Sequence, residues 1–207
     1  MRRVRYASIA YALAIAFIAL PASAAAQVGD RLARGIEAHD AVFAGDFSRL
    51  VEAQRLLGSE GWDRPPLALA YHGSALTLEA SLAKKKGSLM KALSLIDEGT
   101  KEIDSAMALD PGDIELRALR MENSVSLVEA SPVDRKPEAE ADIAYLRTRW
   151  AELGSEKKAL VELDSGRLAL AGRRLGDANG FWRKAVREAP DSDAAARAKK
   201  LIARYGD

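Results

Sequence analysis

The chain has 207 residues, 31 Lys and Arg against 30 Asp and Glu, and no cysteine; 48 % of it is apolar and 6 % aromatic. That apolar share excludes a disordered chain, the missing Cys excludes a disulfide framework, and a formal charge of +1 leaves no electrostatic footprint for nucleic acid. The length fits one domain or two small ones.

The first 26 residues read as an address. Arg2, Arg3 and Arg5 give a basic start, residues 7–20 carry no charge, Pro21 breaks the run, and the small residues at 22–26 offer A-x-A cleavage sites. This is the layout of a secretory signal peptide. Its apolar stretch is shorter than the roughly 20 residues a membrane span needs; an uncleaved N-terminal anchor is the alternative. No Cys is present to carry the lipid of a lipoprotein. Cleavage after Ala26 predicts a mature domain over 27–207, with no stable membrane span and slightly acidic because three Arg and no acid are lost. The expected compartment is a bacterial periplasm, with release to the medium as the alternative.

From there the pattern predicts helices throughout. Alanine and leucine dominate, and β-branched runs of strand length are missing. Turn and cap residues at Gly45-Asp46, 58–66, 84–87, Asp110-Pro111-Gly112, 131–137, Gly154, Gly176-Asp177 and Pro190-Asp191 punctuate the chain. They divide it into nine predicted helices at 30–44, 47–57, 66–84, 88–109, 113–129, 137–152, 155–175, 178–188 and 192–205. Ser88 and Ser155 are expected caps, Asp113 opens a helix, and Pro137 suits a first turn where no amide donor is needed. In 88–109, Leu89, Ala92, Leu93, Ile96, Ile103, Ala106, Met107 and Leu109 recur at helical spacing, which predicts a wide buried face.

Short helices with regular punctuation call for a search for repeats. The clearest unit covers 159–192, where Gly166, Ala178, Trp182, Ala185 and Pro190 follow an order of small, small, aromatic, small, proline. This resembles a tetratricopeptide repeat. The resemblance implies that Gly166 and Ala178 lie where two helices of a hairpin touch, that Trp182 fills the gap to the next hairpin, and that Pro190 stops the second helix. A second copy ends at Pro111, with Ala106, Ile103 and Gly99 at the matching places. Its front half departs: Gly73 lies 38 residues before Pro111, against 24 from Gly166 to Pro190. A longer second helix or an enlarged loop is expected there. Gly35 and Gly45-Asp46 give a weaker echo of Gly166 and Gly176-Asp177, and 113–152 has no close match. The fold implied is all-α: an α-solenoid of about four antiparallel, tetratricopeptide-like helical hairpins, closed by a polar capping helix with Arg197, Lys199, Lys200 and Arg204.

Catalytic and cofactor patterns are missing. The two histidines, His39 and His72, stand in no metal-ligand spacing. No nucleophile elbow, dinucleotide loop or phosphate loop occurs; Lys84-Lys85-Lys86-Gly87-Ser88 looks like the last only superficially and reads as a solvated turn. No enzyme, cofactor or metal is therefore expected. The resemblance instead implies a concave groove that accepts a protein or peptide, lined by helices 30–44, 66–84, 113–129 and 155–175. On helix 113–129, Ile114, Ala118, Met121, Val125 and Val128 make an apolar stripe, while Arg117, Arg120 and Ser124 share another face with Asn123 beside them. Two guanidinium forks and an amide on one face can clamp a carboxylate; they can equally pair with Glu122, Asp142 or Asp104. Tyr71 and Tyr145, each apolar with a polar tip, are further binding candidates or packing residues. Trp62 and Trp150 are expected to seal gaps between hairpins. The function expected is an exported interaction scaffold. A small-molecule binder serving transport or envelope assembly is the first alternative, and a self-associating structural protein the second.

Overall fold

The computed structural model describes residues 22–58, 60 and 62–206. The expected signal segment falls mostly outside these residues. Among the described residues there are nine α-helices, two single 3₁₀ turns and no strand. They are α1 (Ala22–Phe43), α2 (Leu50–Leu57), α3 (Pro66–Lys85), α4 (Leu89–Leu109), α5 (Ile114–Ala130), α6 (Lys136–Thr148), α7 (Ser155–Ala171), α8 (Leu175–Glu188) and α9 (Asp193–Tyr205).

Local chemistry accounts for four of the helix starts. The Asp113 carboxylate accepts from the Leu116 amide at 2.9 Å and the Ser192 hydroxyl from the Ala195 amide at 3.2 Å, each satisfying a first-turn donor. Pro66 and Pro137 stand in first turns. Ser88 precedes α4 without a side-chain capping bond, and Ser155 is the first helical residue of α7 with Gly154 before it.

Three helices end in one hydrogen-bond pattern. Gly45, Gly87 and Arg173 have φ of 112°, 78° and 59°. Their amides donate three residues back, to Val42, Lys84 and Leu170, and the following amides five back, to Ala41, Ala83 and Ala169, all at 2.8–2.9 Å. This is the left-handed closure that ends a helix and satisfies its last carbonyls. The expected turn at Gly176-Asp177 is corrected by it. The chain turns at Arg173, and Gly176 and Asp177 lie in the first turn of α8. The expected helix 137–152 also divides into α6 and a 3₁₀ turn at Trp150–Glu152.

The helices pack in sequence. α1 lies against α2, α3 against α4, α5 against α6 and α7 against α8. The odd-numbered helices also pack on one another in succession, from α1 through α9, and each even helix touches the odd ones before and after it. The core is accordingly a chain of clusters shared by neighbouring pairs. Ala38, Ala53 and Leu57 meet Ala68 of α3; Ala106 and Met107 meet Leu116 of α5; Leu146 and Met121 meet Val161 of α7; Trp182 and Ala185 meet Ala194 and Ala198 of α9. Trp62 packs against the first of these sets and Trp150 against the third.

Small residues set the closest approaches. A Cβ at Gly73 would strike the Gly99 carbonyl and one at Gly99 the Gly73 carbonyl. At Gly166 a Cβ would run into the fully buried Trp182 indole and come within 3.0 Å of the Ala178 carbonyl. The long spacing between Gly73 and Pro111 has its explanation here. Gly73 and Gly99 stand 14 and 12 residues from the turn at Gly87, whereas Gly166 and Ala178 stand seven and five from the turn at Arg173. The extra length is shared by both helices, seven residues on each. Seven residues are close to two full turns, so the same faces stay in contact.

The wide buried face expected for 88–109 holds only in part. Ala92, Leu95, Ile96, Ile103, Ala106 and Met107 are buried, but Leu89 is 59 %, Leu93 40 % and Leu109 67 % exposed. Periodicity puts them on the apolar side of α4; no neighbouring helix covers its two ends.

Candidate functional site

Of the six residues singled out on the sequence, three meet. Arg120 donates to both oxygens of Asp142 at 2.7 and 2.8 Å, and Arg117 adds a third bond at 2.9 Å while its other nitrogens donate to the Pro111 carbonyl. Asp142, on α6, is fully buried. Tyr145 lies under the Arg117 guanidinium at 4.3 Å and donates to the Gly112 carbonyl at 3.1 Å. The Arg120 guanidinium is held above its ordinary range by the Asp142 bonds despite burial. The clamp therefore already holds a carboxylate, one from this chain, and its work is to tie α5 to α6.

The other three stand apart. Asn123 donates to Thr77 of α3 at 2.6 Å. Ser124 is buried with its hydroxyl unpartnered. Tyr71 sits edge-on to His39 at 4.9 Å, its hydroxyl pushed above the usual phenol range by burial and by the charges of Asp40, Glu115 and Glu122.

A second cluster joins α1, α5, α7 and α9. Arg167 donates to Asp164 at 2.8 Å, to Glu129 at 2.6 Å and to the Ser126 hydroxyl at 3.2 Å. Arg197 of α9 donates to Glu122 at 2.6 Å and lies 5.2 Å from the Phe43 ring centre. Asp164 is fully buried and its second oxygen has no partner. Burial raises the carboxyls of both Asp164 and Glu122; the Asp164 charge adds to the rise at Glu122, and Arg197 opposes it. Burial works against the Arg167 charge as well, but Asp164 and Glu129 outweigh it and hold the guanidinium above its ordinary range. Displaced titration in a packed cluster marks either a functional site or an ion-pair network. Reading for periodicity passes over these groups. The available signal was Glu162, Asp164 and Arg167 interleaved with Leu160, Val161, Leu163 and Leu168, since charges on a buried face must be paired.

A further polar constellation joins α1 and α3. His39 Nε2 and Ser74 Oγ are 2.8 Å apart, and His39 Nδ1 lies 3.1 Å from Asp40 Oδ1. These distances match a Ser-His-Asp triad, but the order of exposure is inverted. Ser74 and His39 are 3 % exposed, within α3 and α1, while the Asp40 side chain is 63 % exposed. No substrate reaches the hydroxyl, so the bond serves to join α1 to α3. Similar polar links recur between odd helices: Thr77 with Asn123 joins α3 to α5, and Glu129 with Arg167 joins α5 to α7.

Open clefts lie at the two ends. One, of about 430 Å³, runs between α8 and α9 and is lined by Arg183, Val186, Arg187, Lys199, Ile202 and Ala203. The other, of about 350 Å³, is lined by Arg31, Arg34, Arg55, Leu56 and Glu60. Among the described residues no three His, Asp or Glu side chains converge as metal ligands. Comparison with known proteins finds no matching family model, curated protein or solved structure.

Proposed function

We propose that the chain is an exported scaffold, a solenoid of four tetratricopeptide-like hairpins with α9 as its cap, that binds a peptide segment of a partner protein along the face formed by the odd-numbered helices. The observation that carries this reading is the succession of α1, α3, α5, α7 and α9, each packed on the next. In this reading one side of every first helix turns toward a common face. Tyr71 stands there among the acids Asp40, Glu115 and Glu122. The Asp40 side chain is 63 % exposed; that of Glu115, 56 % exposed, pairs with Lys157, and Glu122 pairs with Arg197. The exposed Asp40 carboxylate beside an aromatic residue, with Glu115 able to exchange its lysine partner, suits a segment bearing Lys or Arg. The Arg117–Arg120 clamp has no part in this reading, since Asp142 fills it.

Selection from a random-peptide library tests the proposal. The wild-type chain should enrich a motif rich in Lys or Arg, and the Asp40→Lys/Glu115→Lys variant should lose it. Failure to enrich any motif, or an identical motif from both proteins, would refute the reading.

A second reading is favoured by the α8–α9 cleft. Three cations around Val186, Ile202 and Ala203 suit a small anionic amphiphile. Saturable thermal stabilisation by such a compound, abolished by Arg183→Ala/Arg187→Ala, would favour this reading over peptide binding.

A further inference from the structure

The α3–α4 pair is two turns longer on each arm than α7–α8, measured from the Gly73–Gly99 and Gly166–Ala178 contacts. At 1.5 Å per residue its turn stands about 10 Å further from the contact point. Every residue from 84 to 91 is exposed. Residues 84–94 contain Lys84, Lys85, Lys86 and Lys91 and no acid. On the same turn Met90 is 80 %, Leu89 59 % and Leu93 40 % exposed. Lys85 lies 5.4 Å from the Phe47 ring centre, which brings the start of α2, with Val51 at 75 % exposure, beside the tip.

Large apolar side chains left in water at one place mark a surface that something covers. The charges around these are positive. Glu79 is an acid near the base of the tip, and it is occupied: Lys91 and Gln54 donate to it at 2.7 and 2.8 Å and hold it below the usual carboxylate range. Lys84, Lys85 and Lys86 have no carboxylate partner among the described ion pairs. A second copy of the chain, tip to tip, would set one lysine cluster against another. Among the described residues no helix is long and apolar enough to cross a membrane.

We propose that this tip docks onto an anionic phospholipid surface. Leu89, Met90 and Leu93 enter the boundary between headgroups and acyl chains, and the lysines lie at the level of the phosphates. Apolar burial and cationic attraction act together there, as on other interfacial surfaces. Gly87, with φ of 78°, makes the turn tight enough to present both sets at one end.

The chain has no Cys, so Met90→Cys puts a single environment-sensitive fluorophore on the tip of the full-length protein. Vesicles containing phosphatidylglycerol should shift its emission to the blue at low salt; pure phosphatidylcholine vesicles should not. Replacing Lys84, Lys85 and Lys86 with Gln should weaken the apparent affinity roughly tenfold or more. An unchanged thermal melt of that variant would show that the fold is intact. The proposal is overturned if anionic vesicles give no shift, if neutral vesicles give the same shift, or if the shift follows protein concentration without lipid. That last outcome would assign the tip to self-association.

Discussion

Asp142 and Asp164 are both fully buried, yet they are bonded differently. Asp142 has both oxygens bonded by two guanidiniums. Asp164 has one oxygen on Arg167 and the other without a partner, and burial raises it above its ordinary value of 3.8. The folded chain therefore binds the Asp164 proton more tightly than the unfolded chain does. The resulting stabilisation is fully present below pH 3.8 and is lost as pH rises through the folded value. Glu122 behaves alike, starting from 4.5. Glu102 has the opposite sign: His72 and Arg64 overcome its burial and depress it, so its contribution is lost as pH falls. Comparing wild type with Asp164→Asn cancels the Glu102 effect, since both chains keep it. Urea unfolding over a series of pH values from neutral down to 3.8 should show the wild type gaining stability over the variant on acidification. Parallel pH dependences would mean that Asp164 titrates normally.

At the scale of the element, the turn after α7 is the strained one. Arg173 takes the left-handed conformation that glycine fills at Gly45 and Gly87. For a residue with a Cβ this costs on the order of 1–2 kcal/mol, less the entropy that glycine loses on folding. Arg173→Gly should therefore stabilise the chain by about 1 kcal/mol in urea unfolding. A loss of stability would show that the arginine side chain makes up for the strain. The same turn shows what was legible in the sequence. Asp110-Pro111-Gly112 announced its helix boundary because proline lacks the donor and fixes φ; no comparable rule marks an arginine as a left-handed residue. The periodicity of α4 placed Leu89 and Leu93 on its apolar side, but whether a neighbour covers that side depends on how far the neighbour extends. Likewise, the shared face of Arg117 and Arg120 followed from their spacing. Their partner Asp142, one of the three acids the sequence offered, lies 25 and 22 residues away, and local pattern does not choose among the three.

At the scale of the whole molecule, Arg197 departs from nearest-neighbour packing. An array whose units touch only their neighbours opens from its ends, with stability approximating a sum of local terms. α9 packs on α7 and α8, as such an end would. Arg197 nevertheless reaches Glu122 on α5, 75 residues away in sequence, and the Phe43 ring on α1. One side chain thus ties the last helix to the middle and the beginning of the chain. Its loss would leave Glu122, 17 % exposed, beside Asp164 without its cation. Breaking a fully buried pair costs about 3–5 kcal/mol, and the partial exposure of both groups brings the expectation down to about 2 kcal/mol. The effect should be local. In Arg197→Ala, hydrogen exchange should speed up by more than tenfold at α9 amides and stay near wild type at the α3–α4 crossing, where Gly73 and Gly99 meet. Arg197→Lys, which keeps the charge, should recover part of the protection. Unchanged exchange at α9 would show that the apolar seam of Ala194, Ala195 and Ala198 holds the helix by itself, and that the charged link decides only how Glu122 titrates.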